Sequence, residues 1–250
     1  MNQDPPLSPP QPFDDAQDKP ASAPQALRLT LPESAPYMTY SLIGVTVFVY
    51  LLQLASQAFL KFDFPVGLLA KSNDLIRDGQ LWRLLTPALV HGGIAHIGFN
   101  MYALFIFGVG LERAFGHWRF LLLYALGAFA GNVMSFLFTT GVSVGASTAI
   151  FGLIGAELVF LIQNRRLFAG QFRSAIGNVI FIIFVNLFLG LAPSIDNWGH
   201  IGGLVGGLMF ASFAGPLWEV EGIPLMLRLV DERESRSVLT GAVVTAVMFG

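Results

Sequence analysis

Long stretches without a single charge constrain this chain more than any other feature. Residues 37–60 contain no Asp, Glu, Lys or Arg, nor do 84–111 or 120–156. At about 1.5 Å of rise per residue, an apolar helix of about 20 residues covers the roughly 30 Å of a bilayer's hydrocarbon core. Lipid offers the backbone no hydrogen bonds, so such a run must satisfy its own as a helix. Composition points the same way: 54% of residues are hydrophobic and 12% charged, whereas a soluble domain carries about a quarter charged. The 23 Phe and 27 Gly are residue types favoured at membrane interfaces and where helices pack in lipid. The expected class is an all-α integral membrane protein.

Charges and polar breaks divide the apolar sequence into six expected transmembrane helices, over 37–60, 94–110, 118–138, 147–163, 175–192 and 199–218. The uncharged run 120–156 is too long for one helix, and its polar stretch 139–146 supplies the break. A charged linker, 219–237, leads to the apolar segment 238–250. As a helix that segment covers only about 20 Å, too short to cross alone, so it reads as a partial seventh span or a stub. Residues 1–36 hold nine of the 14 prolines and five acidic residues. They are expected to form a disordered tail, without the basic start and apolar run of a signal peptide.

Orientation follows the Lys/Arg distribution. With the N-terminus inside, ten of the 14 basic residues fall on inner segments; Lys61, Lys71, Arg77 and Arg83 fall in the first outer loop. The short acidic tail suits a bacterial plasma membrane better than an organelle. A net charge of −2 argues against a nucleic-acid partner. The absence of cysteine removes thiol chemistry and thiolate zinc sites. His91 and His96 do not share one helix face, so neither a metal nor another cofactor is expected.

Strongly polar groups at membrane depth are expensive and point to function. His96 and Asn100 lie early in span 2, Ser147 opens span 4 and His200 opens span 6. All three spans start on the outer side, so the four residues share one depth, below the outer surface. His96 and Asn100, four apart, share a helix face. A hydroxyl, two imidazoles and an amide fit nucleophilic acyl transfer: a neutral imidazole takes the serine proton and nearby donors hold the oxyanion. The Ser147 N–H, at a helix start after Gly145-Ala146, would also face developing negative charge. Plainer readings stand beside this. A serine at a helix start is usually an N-cap, an interfacial histidine often only hydrogen-bonds, and an Asn can join helices. His117 is expected to be solvated in an inner turn. Glu157, about ten residues below Ser147, is expected to face Arg165, Arg166 or a water-filled interior.

Trp82-Arg83, His96-Ile97-Gly98-Phe99-Asn100, Glu112-Arg113, Gly145-Ala146-Ser147-Thr148 and Gly199-His200-Ile201-Gly202-Gly203 resemble rhomboid proteases in content, order and spacing, over roughly residues 37–218. The resemblance implies a rhomboid-like six-helix bundle acting as an intramembrane serine endopeptidase on transmembrane protein substrates in the lipid bilayer. It implies a dyad of Ser147 and His200, with His96, Asn100 and the Ser147 N–H as the oxyanion hole and His91 in support. Trp82 and Arg83 would brace the first loop, and Glu112 with Arg113 would tie down the inner end of span 2. Gly203 and Gly207, three and seven residues after His200, would let span 6 approach span 4; packing alone suggests the same.

Two positions depart from the family's pattern. Thr148 stands where many members have Gly, which bears on access and oxyanion geometry. Phe151 stands where some have Tyr, and still offers a ring to stack on the histidine. The runner-up function is a proteolytically silent relative that binds or retains membrane clients. A transporter would show repeated halves with matched broken helices, and no such repeat is present. Asp196, four residues before His200, lies in the short outer loop and is expected to face water. There its contact with the imidazole would be screened.

Overall fold

A computed structural model describes residues 35–193, 195–222 and 227–250; the expected disordered tail lies almost wholly outside them. The elements, in chain order, are α1 (Tyr37–Leu60), α2 (Phe64–Leu69), α3 (Asn73–Arg77), α4 (Ile94–Phe115), α5 (His117–Phe138), α6 (Ser147–Gln163), α7 (Arg165–Phe168), α8 (Phe172–Leu189), α9 (Asn197–Ala214), β1 (Trp218–Glu221), β2 (Arg228–Asp231) and α10 (Ser235–Phe249). Four helical segments are long and apolar enough to cross a membrane: Tyr37–Leu60, Ile94–Phe115, His117–Phe138 and Arg165–Leu189. The apolar helix α6 is shorter, at 17 residues, and α9 has 18.

The burial pattern of α1 is inside-out compared with a helix in water. Its buried residues are Thr39, Thr46, Tyr50 and Gln53, while Phe48, Leu51 and Phe59 face outward. Phe99 on α4 and Phe181 and Phe184 on α8 are likewise exposed. Apolar area on this scale around a helical core marks a surface solvated by lipid. The protein is an integral membrane protein.

Helices α5, α6 and α9 form the centre, with α10 against α5 and α9 and α8 on the periphery. Lipid tails are as apolar as Leu, so close van der Waals packing between small residues has to hold such helices together. Glycine supplies it on three facing lines. A Cβ on Gly152 of α6 would lie 2.9 Å from the Cα of Gly127 on α5. On α9, Gly202 and Gly206 face Ala130 of α5. Gly203 and Gly207 face the carbonyls of Thr148 and Gly152 on α6. Gly203→Ala should therefore push α9 off α6, at the upper end of the about 1–3 kcal/mol that over-packing costs, and Gly203→Val should cost more. Gly98, on the open face of α4 with nothing within 4 Å, provides the comparison: Gly98→Ala should leave thermal stability unchanged or slightly raised. Equal melting midpoints for Gly203→Ala and Gly98→Ala would contradict the close approach.

The structure adds detail between the expected spans. The loop between α1 and α4 holds α2, α3 and 3-10 turns at Leu81–Leu84 and Thr86–Leu89. One aspartate cap accounts for part of this order, since Asp63 accepts from Val66 N–H at 3.0 Å with Pro65 at the helix start. The charged linker carries the antiparallel hairpin β1–β2, fastened to the start of α5 by Arg119–Asp231 at 2.5 Å. The final apolar segment lies in α10, which packs through Gly241 on Phe210 and Phe213 of α9. The second, fifth and sixth apolar segments are helical over Ile94–Phe115, Phe172–Leu189 and Asn197–Ala214, shifted by a few residues from the expected bounds.

Candidate active site

Ser147 is the first residue of α6, and Ala146 occupies the N-cap position. Its hydroxyl makes no hydrogen bond among the described residues, so it is not capping the helix. Its N–H is also without an acceptor among them, as the first amides of a helix are unless something caps them. The preceding segment is tightly held. Gly145 N–H donates to Pro87 carbonyl at 2.9 Å, and Ala146 N–H donates to His91 Nε2 at 3.3 Å. Gly145 has φ +121°, a conformation that side chains with a Cβ rarely adopt.

His200 lies in the first turn of α9, whose N-cap Asp196 accepts from Gly199 N–H at 3.1 Å. The imidazole stacks on Phe151 of α6, with centroids 4.3 Å apart and planes 11° from parallel. One turn below, the Gly203–Thr148 contact draws the two helices together. Ser147 and His200 thus open two helices in direct contact. No hydrogen bond joins them among the described residues, and such bonds are often long before substrate binds. His200 Nδ1 is buried without a partner among those residues, so no carboxylate holds this imidazole. The Thr148 methyl and Cβ pack against Gly131 of α5, and the methyl against Gly199 of α9.

His96 Nδ1 accepts from Gly92 N–H at 3.4 Å. In the neutral ring this leaves the proton on Nε2. That edge fills the notch at Gly145: a Cβ there would meet His96 Cε1 and Nε2 at 2.7 Å and lie 3.8 Å from Ser147 Oγ. The Nε2 edge of His96 and the serine hydroxyl therefore border the same notch. Asn100, buried one turn on, gives one amide hydrogen to His96 carbonyl at 2.9 Å, and the other has no acceptor among the described residues. His91 is buried and meets His96 edge to face at 5.1 Å. Burial, with His96 beside it, pushes His91 down to about 3, so it stays neutral and accepts from Ala146.

Asp196 does not face water. It is half-buried, and its carboxylate accepts from the hydroxyls of Ser135, Ser143 and Thr139 as well as from Gly199 N–H. Burial works against its charge, but these donors outweigh it and hold the carboxyl below its ordinary range. His117 is not simply solvated either: it bonds Glu112 at 2.5 Å. Glu112 also accepts from Met38 N–H, Thr39 N–H and Thr39 Oγ1. It thus fastens the start of α1 to the C-terminal end of α4, while Arg113 has no partner among the described residues. Glu157 forms no ion pair with Arg165 or Arg166. Arg83 donates to the carbonyls of Gly67 and Ala70, both at 2.7 Å, and Trp82 Nε1 donates to Leu68 carbonyl at 3.2 Å, so both grip the end of α2.

Sequence reasoning missed two residues. Gln53 of α1 holds the His91 backbone at both ends, accepting from its N–H at 2.9 Å and donating to its carbonyl at 3.0 Å. An amide within a charge-free span was the available signal. Lys71, counted only as an outer-loop charge, is fully buried. Its Nζ donates to Thr139 carbonyl at 2.6 Å and Gly141 carbonyl at 2.9 Å.

Comparison with known proteins agrees with the resemblance. A model of the Rhomboid domain matches residues 78–216. The chain is 42% identical over 181 residues to Rhomboid protease GluP of Bacillus subtilis (strain 168), covering 72% of this chain and 35% of that protein. It is 41% identical over 136 residues to RHOMBOID-like protein 1 of Arabidopsis thaliana, covering 54% of this chain and 35% of the relative. RHOMBOID-like protein 9, chloroplastic, of the same plant is 34% identical over 179 residues, covering 71% and 41%. The matched segment is thus well under half of each of these relatives.

Proposed function

Because the chain belongs to the rhomboid family, we propose that it is an intramembrane serine endopeptidase that cleaves membrane-protein substrates through Ser147 and His200. In this reading α1, α4, α5, α6, α8 and α9 all cross the bilayer, with the N-terminus inside and the reacting residues toward the outer face. Ser147 Oγ attacks the scissile carbonyl as its proton passes to His200. The oxyanion takes hydrogen bonds from His96 Nε2, the free Asn100 amide hydrogen and Ser147 N–H. The imidazolium then protonates the leaving amine, an acyl-enzyme remains, and water activated by His200 releases the acid.

The observation that carries this reading is the free hydroxyl of Ser147 at the start of α6. It caps nothing among the described residues; His200 stacks on Phe151 of the same helix, and His96 Nε2 borders the notch at Gly145 beside it. A fluorophosphonate probe tests it: an activated serine takes the label at Ser147, and His200→Ala loses it. The runner-up, a silent client-binding protein, draws support from the absence of a Ser147–His200 hydrogen bond among the described residues. No labelling of the folded wild-type protein would favour it.

A further inference from the structure

The groups around Asp196 join four parts of the chain at the outer end of the bundle. Ser135 belongs to the last turn of α5 and Thr139 is its C-cap. Ser143 lies in the segment leading to Ser147, and Gly199 precedes His200. All four donate to one carboxylate. Lys71 comes from the first outer loop, and its backbone pairs with Ser143 in both directions, at 3.0 and 3.2 Å. Its ammonium does not touch Asp196. The two charges meet through Thr139, whose carbonyl accepts from Lys71 and whose hydroxyl donates to Asp196. Each charge also suits its helix end, with Lys71 at the carbonyl end of α5 and Asp196 at the amide end of α9. Burial pushes the Lys71 ammonium below its ordinary value, and Asp196 offsets part of that shift.

Ser143 stands four residues before Ser147, and Asp196 four before His200. The network therefore grips the lead-in of each residue of the pair and touches neither side chain. We propose that Asp196 is a positioning residue that, with buried Lys71, locks the Ser147 segment to the His200 helix and so sets the approach of hydroxyl and imidazole. This rests on the protease reading above. It differs from a triad, because the carboxylate is engaged by four donors and none of them is the imidazole.

The test uses the full chain in liposomes, well below each variant's melting midpoint. It measures the rate of fluorophosphonate labelling at Ser147, and kcat and KM for a transmembrane substrate. Asp196→Ala should slow labelling and lower kcat about tenfold to a hundredfold, the scale of a small misplacement of reacting groups, with KM within about twofold. Asp196→Asn keeps an acceptor for Gly199 N–H, and the serine hydroxyls can turn to accept from its amide. It should stay within about tenfold of wild type. Ser143→Ala, which removes one tether and leaves the cap, should be slowed about threefold. Exposed Asp74→Asn should match wild type.

A folded Asp196→Ala that labels at the wild-type rate would reduce the carboxylate to a fold-stabilising role and overturn the proposal. An Asp196→Asn as damaged as Asp196→Ala would also overturn it, by showing that the charge itself serves the chemistry. Should Asp196→Ala not fold, Ser143→Ala decides, and a wild-type rate there ends the proposal. Failure of wild type itself to label would instead strike the protease reading, and this proposal with it.

Discussion

Ser147→Ala and His200→Ala are each expected to lower cleavage by about 10⁴-fold or more, and the double variant to be no worse than either. The non-additivity is the diagnostic part. If the imidazole acts only by taking the serine proton, it has nothing to do once the hydroxyl is gone, so the second substitution removes nothing further. The structure also predicts that these losses are not losses of fold. Ser147 neither caps α6 nor makes a side-chain hydrogen bond among the described residues, so Ser147→Ala should melt like wild type. His200→Ala removes a ring stacked on Phe151 at 4.3 Å and should cost about 0.5–1.5 kcal/mol of stability, typical of an aromatic pair. Single-turnover cleavage of a transmembrane substrate in liposomes, with melting curves for each variant, reads both quantities. Cleavage within tenfold of wild type by either single variant would remove that residue from the chemistry.

The second large effect belongs to the proposed oxyanion donors. His96→Ala and Asn100→Ala should each lower kcat by about 10²–10³, as loss of one such donor does elsewhere. The mechanisms differ. His96 carries its donor on Nε2, because Nδ1 accepts from Gly92 N–H. Asn100 carries one donor free and uses the other on the His96 carbonyl. His96→Ala keeps that carbonyl, so the Asn100 anchor survives and its remaining amide hydrogen is still available. The two losses should therefore combine to less than their product, because two donors share one oxyanion. KM should change little in either variant, since the interaction strengthens only as the charge develops. Unchanged kcat in both folded variants would leave these residues as helix-joining groups.

Much of the architecture was legible because a bilayer punishes charge. The charge-free runs locate α1, α4, α5 and α6, and the polar break at 139–146 separates α5 from α6, since a helix of that length would overrun the hydrocarbon. The order of Trp82-Arg83, Glu112-Arg113 and the Ser147 and His200 motifs identified the family, and the Rhomboid-domain match over 78–216 agrees. Position along the helices was legible too: Ser147 begins α6 and His200 lies in the first turn of α9.

Neighbours across the fold could not be read that way. Periodicity says which face of a helix a residue occupies and nothing about which segment will cover it. Asp196 looked like a solvated loop acid because its donors, Ser135, Thr139 and Ser143, sit more than 50 residues away and arrive only when α5 and α9 pack. Lys71 looked like a surface charge for the same reason, its carbonyl partners being 68 and 70 residues distant. His117 looked solvated until Glu112 reached it across the Gly116 turn. Gln53 disappeared within an apolar run, and only the docking of α1 against the turn before α4 brings it to His91. What the sequence determined by itself is the solvent, the helices and the place of Ser147 and His200 at helix starts, because each depends on local composition and length. Which polar groups are satisfied, and by whom, was decided by tertiary packing, because a buried charge is tolerated only where distant segments supply its hydrogen bonds.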